Sequence, residues 1–237
     1  MNAEDSAATV PEGPKARSRS RDLLELSIAY ALILAVLWTP RPWQRLLFSL
    51  AAVYLISVLC ISFPGWKAMG LATAGLARSL WVIGVALAMA AIAILIAVRM
   101  NTMLWPGGFV PFVHRYLGYA IWAVFQQLLL QDFFLARLLH LSPSPRSAAL
   151  IAATIFSLAH LPSPILTVVT FIWGLAACLL FLRYRNLYPL ALAHAIFGIT
   201  IALIIPGPVI HNMRVGLGYL TYPRHHPLHL THRASLR

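Results

Sequence analysis

The sequence is poor in acid. Of its 237 residues six are Asp or Glu and 10% are charged, against about 25% in an ordinary soluble globule. The six are Glu4, Asp5, Glu12, Asp22, Glu25 and Asp132, so Asp132 alone lies beyond the first turn of the first long apolar run. A paired-aspartate intramembrane protease needs two carboxylates in its core, and that mechanism is excluded. Cysteine is scarcer still. Cys60 and Cys178 both sit inside apolar runs and read as small buried hydrophobes, not as a disulfide or a metal site. There is no His-Glu-x-x-His zinc helix and no Gly-x-Ser-x-Gly elbow.

Apolar residues are what the chain has in quantity: 60% of the total, with a mean hydropathy of +0.80. Several runs reach the ~20 residues that a bilayer crossing needs. They are continuous and rich in Leu, Ala and Ile rather than alternating, which favours helices over a closed barrel. The net charge of +12 does not indicate nucleic acid. The basic residues form short clusters between apolar runs, as in membrane loops, and no basic stripe with interleaved aromatics occurs. The fold class expected is all-α: a polytopic transmembrane helical bundle of about seven spans, within a range of six to eight.

Punctuation divides the chain. Residues 1–21 are polar, contain Pro and Arg, and are expected to be disordered. No short hydrophobic region with a small-residue cleavage site follows them, so no removable signal peptide is read. Spans are expected at about Leu23–Thr39, Trp43–Phe63, Leu80–Met100, Tyr116–Leu139, Ser147–Leu161, Ile165–Arg183 and from Pro189 to Pro206. The breaks fall at Pro40 and Pro42, Pro64-Gly65, the loop 101–115, Ser142-Pro143-Ser144-Pro145 and Pro162. Residues 22–206 thus form the membrane domain, and 207–237 a basic, His-rich tail. That tail holds His211, His225, His226, His229 and His232, a solvated or interfacial segment with at most weak metal affinity. The Arg cluster ahead of the first span places the N-terminus inside, and the basic tail on the far side counts the other way. Arg greatly outnumbers Lys, as in a GC-rich genome, which is compatible with a bacterial inner membrane.

Polar side chains within spans are costly and mark function. Gln126, Gln127, Gln131 and Asp132 crowd the middle of the fourth run. Gln127 and Gln131 are four apart and share a helix face, and Asp132 lies ~140° further round from Gln127. Interhelical hydrogen bonding accounts for such glutamines equally well. His160 ends the fifth run and His194 lies inside the seventh. At ~1.5 Å per residue Gln127, His160 and His194 lie ~15, ~20 and ~8 Å from the inner side, so convergence requires tilt. Ser157, three residues before His160, makes a Ser/His pair conceivable. His160, His194 and a turned Asp132 could supply three metal ligands.

In order and spacing these residues resemble the CAAX prenyl protease and bacteriocin-processing (CPBP) family of intramembrane proteases. The family's Glu-Glu-x-x-x-Arg corresponds to Gln126-Gln127-x-x-x-Gln131, its Phe-x-x-x-His to Phe156-x-x-x-His160, and its His-x-x-x-Asn to His194-x-x-x-Gly198. The likeness covers about residues 110–205. It implies an endopeptidase acting on membrane-associated or lipidated peptides. The second Glu would activate a water, with the His and Asn residues holding that water and the oxyanion. The family is often called a metalloprotease family, so the implied cofactor is a divalent metal such as zinc on His160 and His194. A metal-free glutamate mechanism is also proposed for it. Here the general-base position is Gln127, the arginine position Gln131 and the asparagine position Gly198. Glutamine can orient a water and cannot take its proton, a loss of about 10²–10⁴-fold in rate. Losing Arg together with Glu fits, since one charge left unpaired in lipid is expensive.

Three functions follow. One is a divergent peptidase in which His160, His194 or Asp132 replaces the missing Glu. Another is a pseudoprotease that binds hydrophobic helices or lipidated tails without cutting. The weakest is a membrane scaffold or transporter. The partners expected are the lipid bilayer and a hydrophobic or lipidated peptide, and no nucleic acid.

Overall fold

A computed structural model describes residues 18–222. Of the tail expected to be disordered, residues 1–21, the first 17 lie outside them, as do His225, His226, His229 and His232, while residues 19–21 are the first turn of a helix and not disordered. Among the described residues every regular element is helical.

The long helices are α1 (Arg19–Trp38), α2 (Arg41–Ile61), α4 (Trp81–Arg99), α5 (Phe109–Leu128), α7 (Pro145–Leu158), α8 (Pro164–Tyr184) and α9 (Tyr188–Ile204). The short α3 (Leu76–Ser79) leads into α4. A π-helical segment (Leu129–Leu135) and α6 (Ala136–Leu141) continue α5, and α10 (Gly207–Ile210) and α11 (Leu217–Leu220) follow α9. Local chemistry sets the boundaries. The Ser18 side chain accepts from the Arg21 amide, with Asp22 in the first turn. Ser144 and Ser147 form a reciprocal capping box on α7. Helices α2, α7, α8 and α9 each place a proline in the first turn, where its missing N–H costs nothing.

The outer faces are apolar and open: Phe109 is 77% exposed and Ile61 74%, side chains that only lipid would cover. Helices α2, α8 and α3–α4 taken together are each long and apolar enough to cross a membrane. The protein is an all-α helical membrane bundle, with α7 packed along α8, α4 and α5 along α9, and α1 along α2 and α6. Close approach of α7 and α8 rests on small residues. Ala148, Ala149, Ala152 and Ala153 are fully buried, and a Cβ at Gly174 would meet the Phe156 ring at 3.2 Å and the Ala153 Cα at 3.5 Å. This is the small-residue contact that helices use in lipid.

Arg137, near the end of the fourth expected span, is 2% exposed. Its Nε donates to Glu25 Oε2 at 2.8 Å and its Nη1 to the Phe133 carbonyl at 2.9 Å, while the guanidinium lies 3.7 Å from the centre of the Phe133 ring. Arg21 holds the other Glu25 oxygen at 2.8 Å, and His140 Nδ1 lies 3.2 Å from Asp22 Oδ2. Two of the six acids therefore tie α1 to α6. Residues 207–222, read from sequence as the start of a tail, fold back on the bundle. The Gly216 amide donates to the Leu161 carbonyl at 2.8 Å, and Gly216 has φ +55° in a site where a Cβ would overlap the Leu37 carbonyl, so only glycine fits.

Removing one partner of a buried pair strands the other charge. Glu25→Ala is expected to cost about 3–5 kcal/mol of stability, read as a fall in detergent-solubilised thermal unfolding temperature, with Arg137→Met milder than Glu25→Ala.

Candidate active site

Helix α5 carries Arg115, Tyr119, Trp122 and Gln126 at spacings of four, three and four residues, one face of the helix. That face borders a cavity of 370 Å³ closed by α7–α8 and α9, into which His160, Trp173, His194 and Gly198 also project their surfaces. His160 and His194 therefore share one wall. The Phe156 ring stands between them, 5.0 Å from the His160 ring and 5.9 Å from that of His194, edge-on to both.

Gln127 does not face this cavity. It is wholly buried behind His194. Its Oε1 accepts from Gln131 Nε2 at 3.2 Å, so its amide Nε2 end faces His194 Nδ1 at 3.1 Å. The chain Gln131–Gln127–His194 joins the fourth span to the seventh through neutral groups. With Nδ1 accepting, the His194 Nε2 carries the proton and acts as donor. His160 is held oppositely. Its Nδ1 lies 2.9 Å from the Phe156 carbonyl, and a carbonyl can only accept, so Nδ1 donates and Nε2 keeps the lone pair. Ser157 is not its partner, because the Ser157 hydroxyl donates to Thr154 O at 2.9 Å.

Asp132 lies elsewhere. After Leu128 the helix widens to i→i+5 turns, which changes the phase of everything beyond. Gln131 and Asp132 line a second cavity of 210 Å³ with Arg137, His140 and Arg185. This corrects the expectation that Asp132 turns toward the histidines. It also removes the third ligand of the metal arrangement. A catalytic zinc takes three protein ligands; this cavity offers two imidazoles, and among the described residues no group of three His, Cys, Asp or Glu gathers. The donor set does not fit a catalytic zinc.

Two polar atoms in the wall of the first cavity are buried without a partner: Gln126 Oε1, an acceptor, and Trp173 Nε1, a donor. Native interiors rarely leave such atoms unmatched. Beyond them the wall is formed by apolar side chains such as Leu166, Val169, Phe197 and Ile201. Asn212 and Met213 close one side, from a segment in which His211, Asn212 and Met213 have φ of 49°, 50° and 57°. Three successive non-glycine residues in the left-handed region cost about 1–3 kcal/mol each. The turn is pinned by the His211 ring stacked 3.8 Å from Tyr219 and by Asn212 Nδ2 donating to the Tyr222 hydroxyl at 3.1 Å. Sequence reading missed Tyr119, Trp173, Asn212 and Met213. The α5 stripe was readable as a helix face, and nothing in the sequence pattern marked residues 212–213.

The fold and cavity define a class: an integral membrane helical protein with a largely apolar cavity between its spans that carries two histidines. Residues 109–200 match the family model described as Rce1-like, type II CAAX prenyl endopeptidase Rce1-like. That segment, which spans the fourth to seventh membrane helices, is therefore similar to the CAAX prenyl protease family, with Gln126-Gln127 where the family pattern has a Glu pair. No curated protein and no solved structure gives a significant match.

Gln127→Leu keeps volume and removes both hydrogen bonds. It is expected to cost about 1–3 kcal/mol and to free the His194 ring, observed as a lower unfolding temperature and loss of the single His194 imidazole NMR environment.

Proposed function

We propose that the protein is an intramembrane peptidase that hydrolyses hydrophobic or lipidated peptides, with His160 as its general base in place of the family glutamate. The observation that carries this is the pair of oppositely held histidines on one cavity, with His160 Nδ1 donating to the Phe156 carbonyl and His194 Nδ1 accepting from the Gln127 amide. The apolar wall and the volume of 370 Å³ suit a few extended residues or an acyl-type tail rather than a whole helix.

The chemistry needs a base, an electrophile and a proton return. Nε2 of His160 takes a proton from water as the water oxygen bonds to the carbonyl carbon, and the C=O pair moves onto its oxygen. When that pair returns, the C–N bond breaks and the proton passes from His160 to the departing nitrogen, leaving a carboxylic acid and an amine. The Nε2–H of His194, oriented through Gln127, donates to the charged oxygen. The protein would sit in a bacterial inner membrane with its N-terminus cytoplasmic. Its partners would be the bilayer and the peptide, with no nucleic acid.

A second reading has its own observation. The position that would hold the catalytic Glu is Gln127, walled off from the cavity and bonded at both ends, so a binding site that never cuts is chemically complete. Purified full-length protein in lipid nanodiscs with fluorogenic farnesylated peptides separates the two. Cleavage is expected, with kcat reduced about 10²–10⁴-fold by His160→Ala and peptide affinity and chelator sensitivity unchanged. Tight binding without cleavage by the wild type establishes the second reading, and the absence of binding rejects both.

A further inference from the structure

Gly198 stands where the family pattern has asparagine, one turn after His194 on α9. The space is not empty. A Cβ added at Gly198 would overlap the hydroxyl of Tyr119, with the ring carbons behind it also in contact. Tyr119 belongs to the cavity face of α5, the helix packed along α9. The side chain missing from one helix is thus replaced, in place, by a hydroxyl reaching across from another. Glycine at 198 is required for that reach, and any larger residue would expel the phenol.

On the hydrolytic reading above, we infer that Tyr119 is a catalytic residue whose hydroxyl donates a hydrogen bond to the carbonyl oxygen of the bound peptide and to the oxyanion formed from it. Three features support this. The hydroxyl lies against Gly198, one turn from His194 on α9, and both Tyr119 and His194 line the cavity, so donors from two helices border one space. A phenol O–H can donate to an oxygen there as an asparagine amide would. The cavity wall among the described residues contains no carboxylate to repel that charge, and Arg115 lines it.

The role can be read by binding, without turnover. Two probes are compared on purified full-length protein in nanodiscs. One is a farnesylated phosphinic peptide, carrying the tetrahedral anionic oxygen. The other is its trans-alkene isostere, with the same shape and no oxygen. Tyr119→Phe is expected to weaken the phosphinic probe roughly 10- to 100-fold, the worth of a hydrogen bond to a charged oxygen, and to leave alkene affinity and unfolding temperature unchanged. Tyr119→Ala combined with Gly198→Asn is expected to regain phosphinic affinity relative to Tyr119→Ala, because the asparagine then has room. Unchanged phosphinic affinity in Tyr119→Phe overturns the assignment, and so does an equal loss for both probes, which marks packing alone. Wild-type protein that binds neither probe overturns the peptide cavity itself and the Tyr119 role with it, a result distinct from the other two.

Discussion

The hydrogen bond between Gln127 and His194 is the constraint on which the site depends. It is buried completely on the glutamine side, in a part of the molecule where water cannot replace a lost partner. Through Gln131 it runs back along the fourth span, and through His194 it crosses to the seventh. It fixes which imidazole nitrogen carries the proton, and so decides that His194 offers a donor to the cavity while His160, held by the Phe156 carbonyl, offers a lone pair. An ionic Glu–Arg pair at the same positions would have given the site a base and a charge. The amide pair gives it orientation only, so under the proposed peptidase reading a base has to come from another helix.

Charge is not absent from the bundle; it is kept apart. Glu25 and Arg137 meet at 2.8 Å where α1 packs on α6, and Asp22 and His140 at 3.2 Å beside them. Asp132, Arg137 and Arg185 line the second cavity. Gln131 borders that ionic cavity, Gln126 borders the first one, and Gln127 lies between. The π-helical turns from Leu129 create the division, since they rotate Asp132 to the ionic side while the α-helical turn before them keeps Gln126 on the other. Separation of this kind keeps carboxylates out of the first cavity, where Arg115 is the one Lys, Arg, Asp or Glu among the described residues of the lining.

The spans were legible because a bilayer demands about twenty apolar residues and because proline marks several breaks: each of the seven long runs contains a helix, and α2, α7, α8 and α9 open on a proline. The loop expected at 101–115 is shorter than that, since α5 begins at Phe109 and takes Pro111 into its first turn. The pairing of Gln127 with His194 was legible as a motif and not as geometry. Depth counted from the span ends put those two residues ~7 Å apart along the membrane normal, whereas they touch. Such counting assumes straight helices that start level, and the widened turns of the fourth helix and its extension to Leu141 break that assumption. The ion pair of Arg137 was not legible because its partner Glu25 is 112 residues away on α1, a contact no local pattern encodes. The fold of residues 207–222 was missed for a related reason: its polar composition looked like a tail, while stacking of His211 on Tyr219 and the left-handed turn depend on contacts that form only after the chain has folded back.

Gly198 shows how an apparent loss in a motif can be an exchange. Judged along the chain, His194-x-x-x-Gly198 lacks a side chain and suggests decay. Judged in space, the Tyr119 hydroxyl lies where that side chain would begin, and it can be there only because residue 198 has no Cβ. Decay gives no reason for a polar group from another helix to fill the gap, since an apolar ring would seal it without burying a hydroxyl. A hydroxyl placed against the cavity, next to the histidine that shares its face, is the costlier choice, and the cost is offset only when something in the cavity accepts its hydrogen bond.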